Sequence, residues 1–237
     1  MNGTDGQSWA IMRQVIFAAE DNAAAGALLR ERLGVGTGFA DPGVATINMT
    51  DNTIPVGGGC FLEIISPWEK DTSLGRWLAK RGGAGGYMLA IQLPDLDGVR
   101  KRAAEMGIEE ILRDTVDGHE LSQYSPWELG LIFEADGIAD PDVWYWDDVG
   151  WTLEPDARVD DIVDVEVAVE DPDKVTALWH QLLDLPTSND REVRMGDRVL
   201  RFVEGEGKGR MTAVTLKTAD GRPREAEELL GLTVRYA

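Results

Sequence analysis

The chain has 237 residues, enough for one large domain or two small ones, each with a core of its own. A formal net charge of −20 opposes phosphate backbones and anionic lipid, so neither nucleic acid nor a membrane surface is an expected partner. No apolar run reaches the length of a membrane span, the first ten residues lack a secretory pattern, and the single cysteine, Cys60, allows no intrachain disulfide and no cysteine-built zinc site; a cytoplasmic location is the expectation.

The chain then reads as repeated strand–helix–strands units. Val15–Val35 (VIFAAEDNAAAGALLRERLGV) is an apolar strand, an acidic turn and an amphipathic helix; the acid near the helix start suits its positive dipole end. Short strands are expected at Val44–Asp51 and Cys60–Ser66, with the glycines of VGGGCF as a turn; no Lys-Ser/Thr follows, which excludes a phosphate loop. The flexible link RGGAGG leads to a buried strand, YMLAIQL. A helix with Leu96, Val99, Ala103 and Met106 on one face comes next, closed by Gly107. Three strands, Glu109–Val116, His119–Tyr124 and Leu129–Ala135, complete the second unit.

A linker rich in acid and tryptophan (138–159) follows, with Trp144, Tyr145, Trp146 and Trp151 expected to pin it between two halves; an aromatic lid over a planar ligand is the functional alternative. Val165–Leu185 then repeats Val15–Val35 without gaps, 150 residues later. Strands are expected at Arg191–Met195 and Arg198–Glu204. The last unit, MTAVTLKTADGRPREAEELLG, is read as a strand and a helix ending at Gly231, followed only by LTVRY. Its GRMTAVTL echoes GGYMLAIQL and sets Met88 and Met211 at the same strand position.

Few side chains advertise chemistry. His180 is mid-helix and reads as a surface or partly packed residue; His119 opens a strand after Asp-Gly, where an exposed turn histidine is the favoured reading and a general base the alternative. Cys60 reads as a buried structural thiol. Trp68 and Trp127 each follow Ser-Pro, at a place either to rim a cavity or to pack at the surface.

The segment FLEIISPWEKDTSLGRWLAKRGGAGGYMLAIQLPDLDGVRKRAAEMGI resembles the join between two modules of the vicinal oxygen chelate superfamily, in the style of its glyoxalase, bleomycin-resistance and methylmalonyl-CoA epimerase-like members. A Glu-bearing strand is followed by Ser-Pro, a short helix, a second strand, and Asp-Leu-Asp opening a helix. The resemblance implies an α+β fold of paired βαβββ modules forming curved half-barrel sheets. Two module pairs are expected, at 10–137 and 160–237, the last module truncated and the second pair serving as support or as the surface of a homodimer. It also maps the family's four ligand places onto Gln14, Glu63, Met88 and Glu134. Three of these suit a hard divalent ion, whereas the Met88 thioether is soft and removes the third ligand. In the second pair the corresponding places hold Asp164, Arg201 and Met211, and an Asp–Arg ion pair there would replace a metal. Core filler is the favoured reading of Met211, while Met88 stands equally as filler or as cavity lining.

The expected function is therefore a glyoxalase-like protein acting on a small organic molecule in the first cavity, by lyase, isomerase or ring-cleaving chemistry. Glu63, Glu134 and His119 are the candidate catalytic groups, and Gln14, Met88, Trp68, Tyr124 and Trp127 the candidate ligand contacts. No cofactor is expected, a divalent metal on Gln14, Glu63 and Glu134 being the lesser reading. The alternative is a metal-free binding protein of the drug-sequestering kind.

Overall fold

A computed structural model describes residues 8–41, 44, 48–145, 153–188, 190–207 and 209–237. Strand β1 (Ile11–Ala18) leads into α1 (Asn22–Leu33), whose N-cap Asp21 accepts the Ala24 N–H and whose end is turned by Gly34 at φ 67°. Then come β2 (Met49–Gly57), β3 (Cys60–Pro67), α2 (Ser73–Arg81), β4 (Gly85–Leu93), α3 (Leu96–Met106), β5 (Glu110–Val116), β6 (His119–Tyr124), the short α4 (Pro126–Leu129) and β7 (Ile132–Gly137). The remaining elements are β8 (Val159–Val169), α5 (Pro172–Leu183), β9 (Glu192–Met195), β10 (Arg198–Glu204), β11 (Arg210–Thr218), β12 (Glu227–Leu229) and β13 (Leu232–Tyr236).

The strands form two sheets, ordered β2-β3-β1-β4-β7-β6-β5 and β12-β13-β11-β8-β10-β9. In each sheet two units meet through their first strands, which run antiparallel: β1 with β4, and β8 with β11. Within a unit the first and last strands are parallel, as β1 with β3 and β8 with β10. Val15–Val35 and Val165–Leu185 are both strand followed by helix.

One face of each sheet is turned to a shared apolar core holding Val15, Phe17, Leu89, Phe133, Val165, Val167, Trp179 and Phe202. The fully buried Trp179 of α5 packs on Phe133 at 4.9 Å between ring centroids and donates its indole N–H to the Leu129 carbonyl at 3.0 Å. The glycine turn between β2 and β3 also meets the second sheet: Arg198 Nη2 donates to the Gly58 carbonyl at 2.6 Å.

Four sequence expectations are corrected. The first is the strand expected at Val44–Asp51. Its residues Met49–Asp51 open β2, which continues to Gly57 as an edge strand that tolerates Pro55; residues 45–47 lie outside the described residues. Second, the fourth unit has no helix. Residues 219–226 are irregular, with Pro223 withholding an N–H, and the segment ends in the hairpin β12–β13. Third, His180 is neither exposed nor partly packed: it is buried, with Nε2 3.0 Å from the Glu192 carbonyl.

The fourth correction concerns the methionines. Both β4 and β11 carry a bulge, at Tyr87 and at Thr212, so Ile16 faces Met88 while its repeat partner Glu166 faces Ala213. The register makes Gly86 the counterpart of Met211. Met211 lies in the shared core, and a Cβ added to Gly86 would collide with its thioether; Met88 points to the opposite face. The bulge also turns Tyr87 onto the Met88 side, where strict alternation would have sent it to the core.

Candidate functional site

The face of the first sheet turned away from the shared core is concave and carries the acidic side chains. Strand alternation and the pairing register set its rows. Phe61, Gln14, Ala90, Glu134 and Gln123 follow one another across β3, β1, β4, β7 and β6; Thr53, Glu63, Ile16, Met88 and Ile132 form the next row from β2 to β7. Gln14, Glu63, Met88 and Glu134 thus share this face. Asp51 stands opposite Ile65, and Asp136 opposite Leu121, so both belong to it as well.

Each end of the face is closed differently. At one end α2 lays Leu74, Leu78 and Trp77 on Ile16, Ala18, Ile65 and Met88, with Trp77 edge-on to Tyr87 at 5.2 Å. At the other, residues 138–145 fold over the sheet and bury Trp144 and Tyr145 against Phe61 and Ile138. This strap is tied down by Gln92, whose Nε2 donates to the carbonyls of Ile138, Asp140 and Val143, and by Arg13, whose Nη2 donates to Pro141 O at 2.6 Å. The aromatic cluster expected between the halves therefore covers the concave face instead; Trp146 and Trp151 lie outside the described residues.

The centre is polar and poor in cations. Gln14 Nε2 donates to Glu63 Oε2 at 2.7 Å, and Gln123 Nε2 to Glu134 Oε2 at 2.6 Å. Burial holds Glu63 well above the usual carboxylate range, reinforced by the charges of Asp51 and Glu134, while the Gln14 bond pulls the other way. Burial likewise raises Glu134 and, most strongly with Glu63, Asp136, which Glu134 raises further. Asp51 is pushed up to about 6 by burial. The Tyr145 hydroxyl donates to Asp136 Oδ1 at 3.0 Å. Several carboxyls here exchange protons more easily near neutral pH than surface acids do.

The other expected residues fall elsewhere. His119 is at the rim, its ring 6.0 Å from Tyr145, beside a groove of about 270 Å³ lined by Pro94, Asp95, Asp97 and Glu120. Tyr124 lies off this face: it faces the shared core, fully buried and stacked on Phe133 at 5.6 Å, because it sits one residue out of phase with Gln123. Trp68 and Trp127 are 55% and 56% exposed and join neither cluster lining the face. Trp127 rides on α4, which docks on α5 through Leu129 and Trp179. Cys60 is buried, its thiol pushed up to about 12 by burial and donating to Met12 O at 3.1 Å, which suits a structural role. Sequence reasoning passed over Asp51, Gln123, Asp136 and the strap. Asp136 was marked by the simplest of signals, its place two residues after Glu134 on one strand.

The donor set does not fit a tightly held divalent ion. The third place carries the Met88 thioether, the Gln14 amide is engaged with Glu63, and among the described residues no three His, Cys, Asp or Glu side chains are grouped to hold a metal.

The second concave face contrasts with the first. Arg201 bonds Asp164 Oδ2 at 3.1 Å and also pairs with Glu192, while Arg235 pairs with Glu166 at 2.9 Å. The ion pair expected between Asp164 and Arg201 is thus present, and its Arg stands at the register place of Glu63.

One solved structure agrees with this architecture over nearly the whole chain. A hypothetical protein from Staphylococcus aureus is 11% identical and superposes over 96% of this chain and 99% of its own, with a TM-score of 0.62. A methylmalonyl-CoA epimerase from Mycobacterium tuberculosis is 18% identical over 57% of this chain and 91% of its own, with a TM-score of 0.47. No curated protein matches the chain. No helix among the described residues is long and apolar enough to cross a membrane. The family model described as "Glyoxalase-like domain" matches residues 15–183, more than half of the chain, and with the paired units it places the protein in the glyoxalase-like domain family of the vicinal oxygen chelate superfamily.

Proposed function

We propose that the first concave face binds a small organic molecule and moves a proton at a carbon next to a carbonyl, without a tightly held divalent metal. The observation that carries this reading is Glu63, a buried carboxyl hydrogen-bonded by Gln14 and raised by its surroundings, on one face with Glu134. A base poised closer to neutral pH removes a carbon-bound proton more effectively than an ordinary carboxylate. Glu63 takes the proton. Glu134, its companion on the face, orients the substrate, and Gln123 holds that carboxyl in place. The strap and α2 exclude water from both ends of the face. His119 remains at the rim, where it relays protons to solvent.

A second reading is favoured by one feature, the aromatic cover of Phe61, Trp144 and Tyr145, which suits a binding protein that sequesters a planar molecule. Both readings place the protein in the cytoplasm, keep nucleic acid away through the net charge of −20, and leave the second half free to support a homodimer.

Deuterium exchange separates the readings. Small aldehydes, ketones and thioesters are incubated with the protein in heavy water and followed by proton NMR. We expect exchange next to the carbonyl of at least one compound, reduced about 10²–10⁴-fold by Glu63→Gln. Tight binding without exchange in any compound would favour sequestration.

A further inference from the structure

We infer that the ligand of the first concave face is an organic cation of the amine class, recognised by Glu134 and Asp136 beneath the aromatic strap. This rests on the reading that a small molecule binds this face, and it adds the molecule's charge.

The argument is a count of donors and acceptors. Asp51, Glu63, Glu134 and Asp136 all occupy concave positions of the sheet. The side-chain donors among them are already engaged: Gln14 and Gln123 on Glu63 and Glu134, Gln92 on the strap carbonyls, and Thr53 on Asp51. Arg13 is the one arginine or lysine at this end of the face among the described residues, and all three of its guanidinium nitrogens are engaged. They donate to Gln92 Oε1 at 2.7 Å, Gly59 O at 3.0 Å and Pro141 O at 2.6 Å, and the group lies over Trp144 at 5.4 Å. The face therefore offers acceptors and lacks donors.

Asp136 makes the imbalance specific. Its side chain is fully buried, Oδ1 accepts from Tyr145, and Oδ2 is buried with no hydrogen-bond partner. An unmet buried acceptor of this kind is costly, and a ligand that brings N–H donors removes the cost. An ammonium group supplies up to three donors and a compensating charge, and the rings of Trp144 and Tyr145 favour a cation nearby. A carboxylate or phosphate ligand would instead add an anion to four carboxyls with no cation left to receive it.

The test uses three probes that share one ring and differ in charge: benzylamine, benzamide and benzoate. Each is titrated into the full chain at pH 7 by calorimetry. We expect benzylamine to bind at least tenfold more tightly than benzamide, with benzoate weakest, and Asp136→Asn to weaken benzylamine about tenfold while changing benzamide little. Glu134→Gln serves as the second variant if Asp136→Asn does not fold. Equal or tighter binding of benzoate, unchanged benzylamine affinity in the folded variants, or no benzylamine binding at 10 mM, ~10,000 times a micromolar Kd, overturns the inference. Amine preference without deuterium exchange would leave this inference standing and remove the proton-transfer reading. Exchange combined with a preference for benzoate would do the reverse.

Discussion

The two concave faces are built on one register and carry opposite solutions to the same problem. In the first, the places on β3 and β7 hold Glu63 and Glu134; in the second, the matching places on β10 and β13 hold Arg201 and Arg235. Gln14 and Ile16 are matched by Asp164 and Glu166, so the second face alternates in sign and closes on itself with Arg201–Asp164 and Arg235–Glu166. Among the described residues, no salt bridge joins the carboxyls of the first face to a protein cation. A duplicated scaffold thus separates two tasks. One copy pairs its charged groups with each other, and the other holds its carboxyls through amide, hydroxyl and backbone donors.

That contrast can be broken most forcefully at Arg201. Arg201→Met leaves the partly buried Asp164 without its paired cation and Glu192 with Arg194 alone. It should cost about 2–3 kcal/mol in urea unfolding, below the full cost of breaking a buried pair because the Arg201 side chain is 39% exposed. Glu63→Gln at the matching place should cost less than about 1 kcal/mol, since it removes a charge that burial already disfavours. Equal losses would mean that the two faces are not different in kind. The next effect tests the pairing of Gly86 with Met211. Gly86→Ala forces a methyl onto the Met211 thioether and should destabilise by about 1–2 kcal/mol; the double variant with Met211→Ala should recover part of that loss in a mutant cycle.

A third experiment restores a ligand. Met88→His adds an imidazole between Glu63 and Glu134 and should raise nickel or zinc affinity at least tenfold by calorimetry. Ala213→His, at the equivalent place in the second face, should gain nothing because Arg201 and Arg235 stand around it.

The smallest effect is in the pH dependence. Asp51, raised by burial from 3.8 to about 6, binds its proton more tightly when folded. Its contribution to stability is complete below pH 3.8 and is lost as pH rises through about 6. Thermal melts should therefore show the protein more stable at pH 5 than at pH 8, and Asp51→Asn should reduce that difference by about 1 kcal/mol. A stability that climbs steadily toward pH 8 would contradict the burial of these acids.

Much of this arrangement could be read from residues alone, because alternation and helix periodicity are local. Val15–Val35 and Val165–Leu185 announced matching units, and the spacing within strands was enough to set Gln14, Glu63, Met88 and Glu134 on one surface. What escaped was non-local. A bulge adds one residue without any mark in composition, so the Met88–Met211 echo pointed to the wrong pairing and Tyr87 to the wrong side. The partner of a linker is likewise set by tertiary contact: Trp144 and Tyr145 cover the concave face because Gln92 and Arg13 hold the chain there through carbonyls that any sequence would offer. The fourth helix failed through Pro223 and a segment too short to nucleate without packing.

The shared core has a consequence for how the molecule comes apart. Trp179 belongs by sequence to the second half, yet its ring rests on Phe133 and its indole N–H is held by Leu129, both from the first. Neither sheet can expose its core face without unmaking the other's. Calorimetry should accordingly record one cooperative transition, and the slowest amide protons of β1 and β8 should exchange together, through the same global opening.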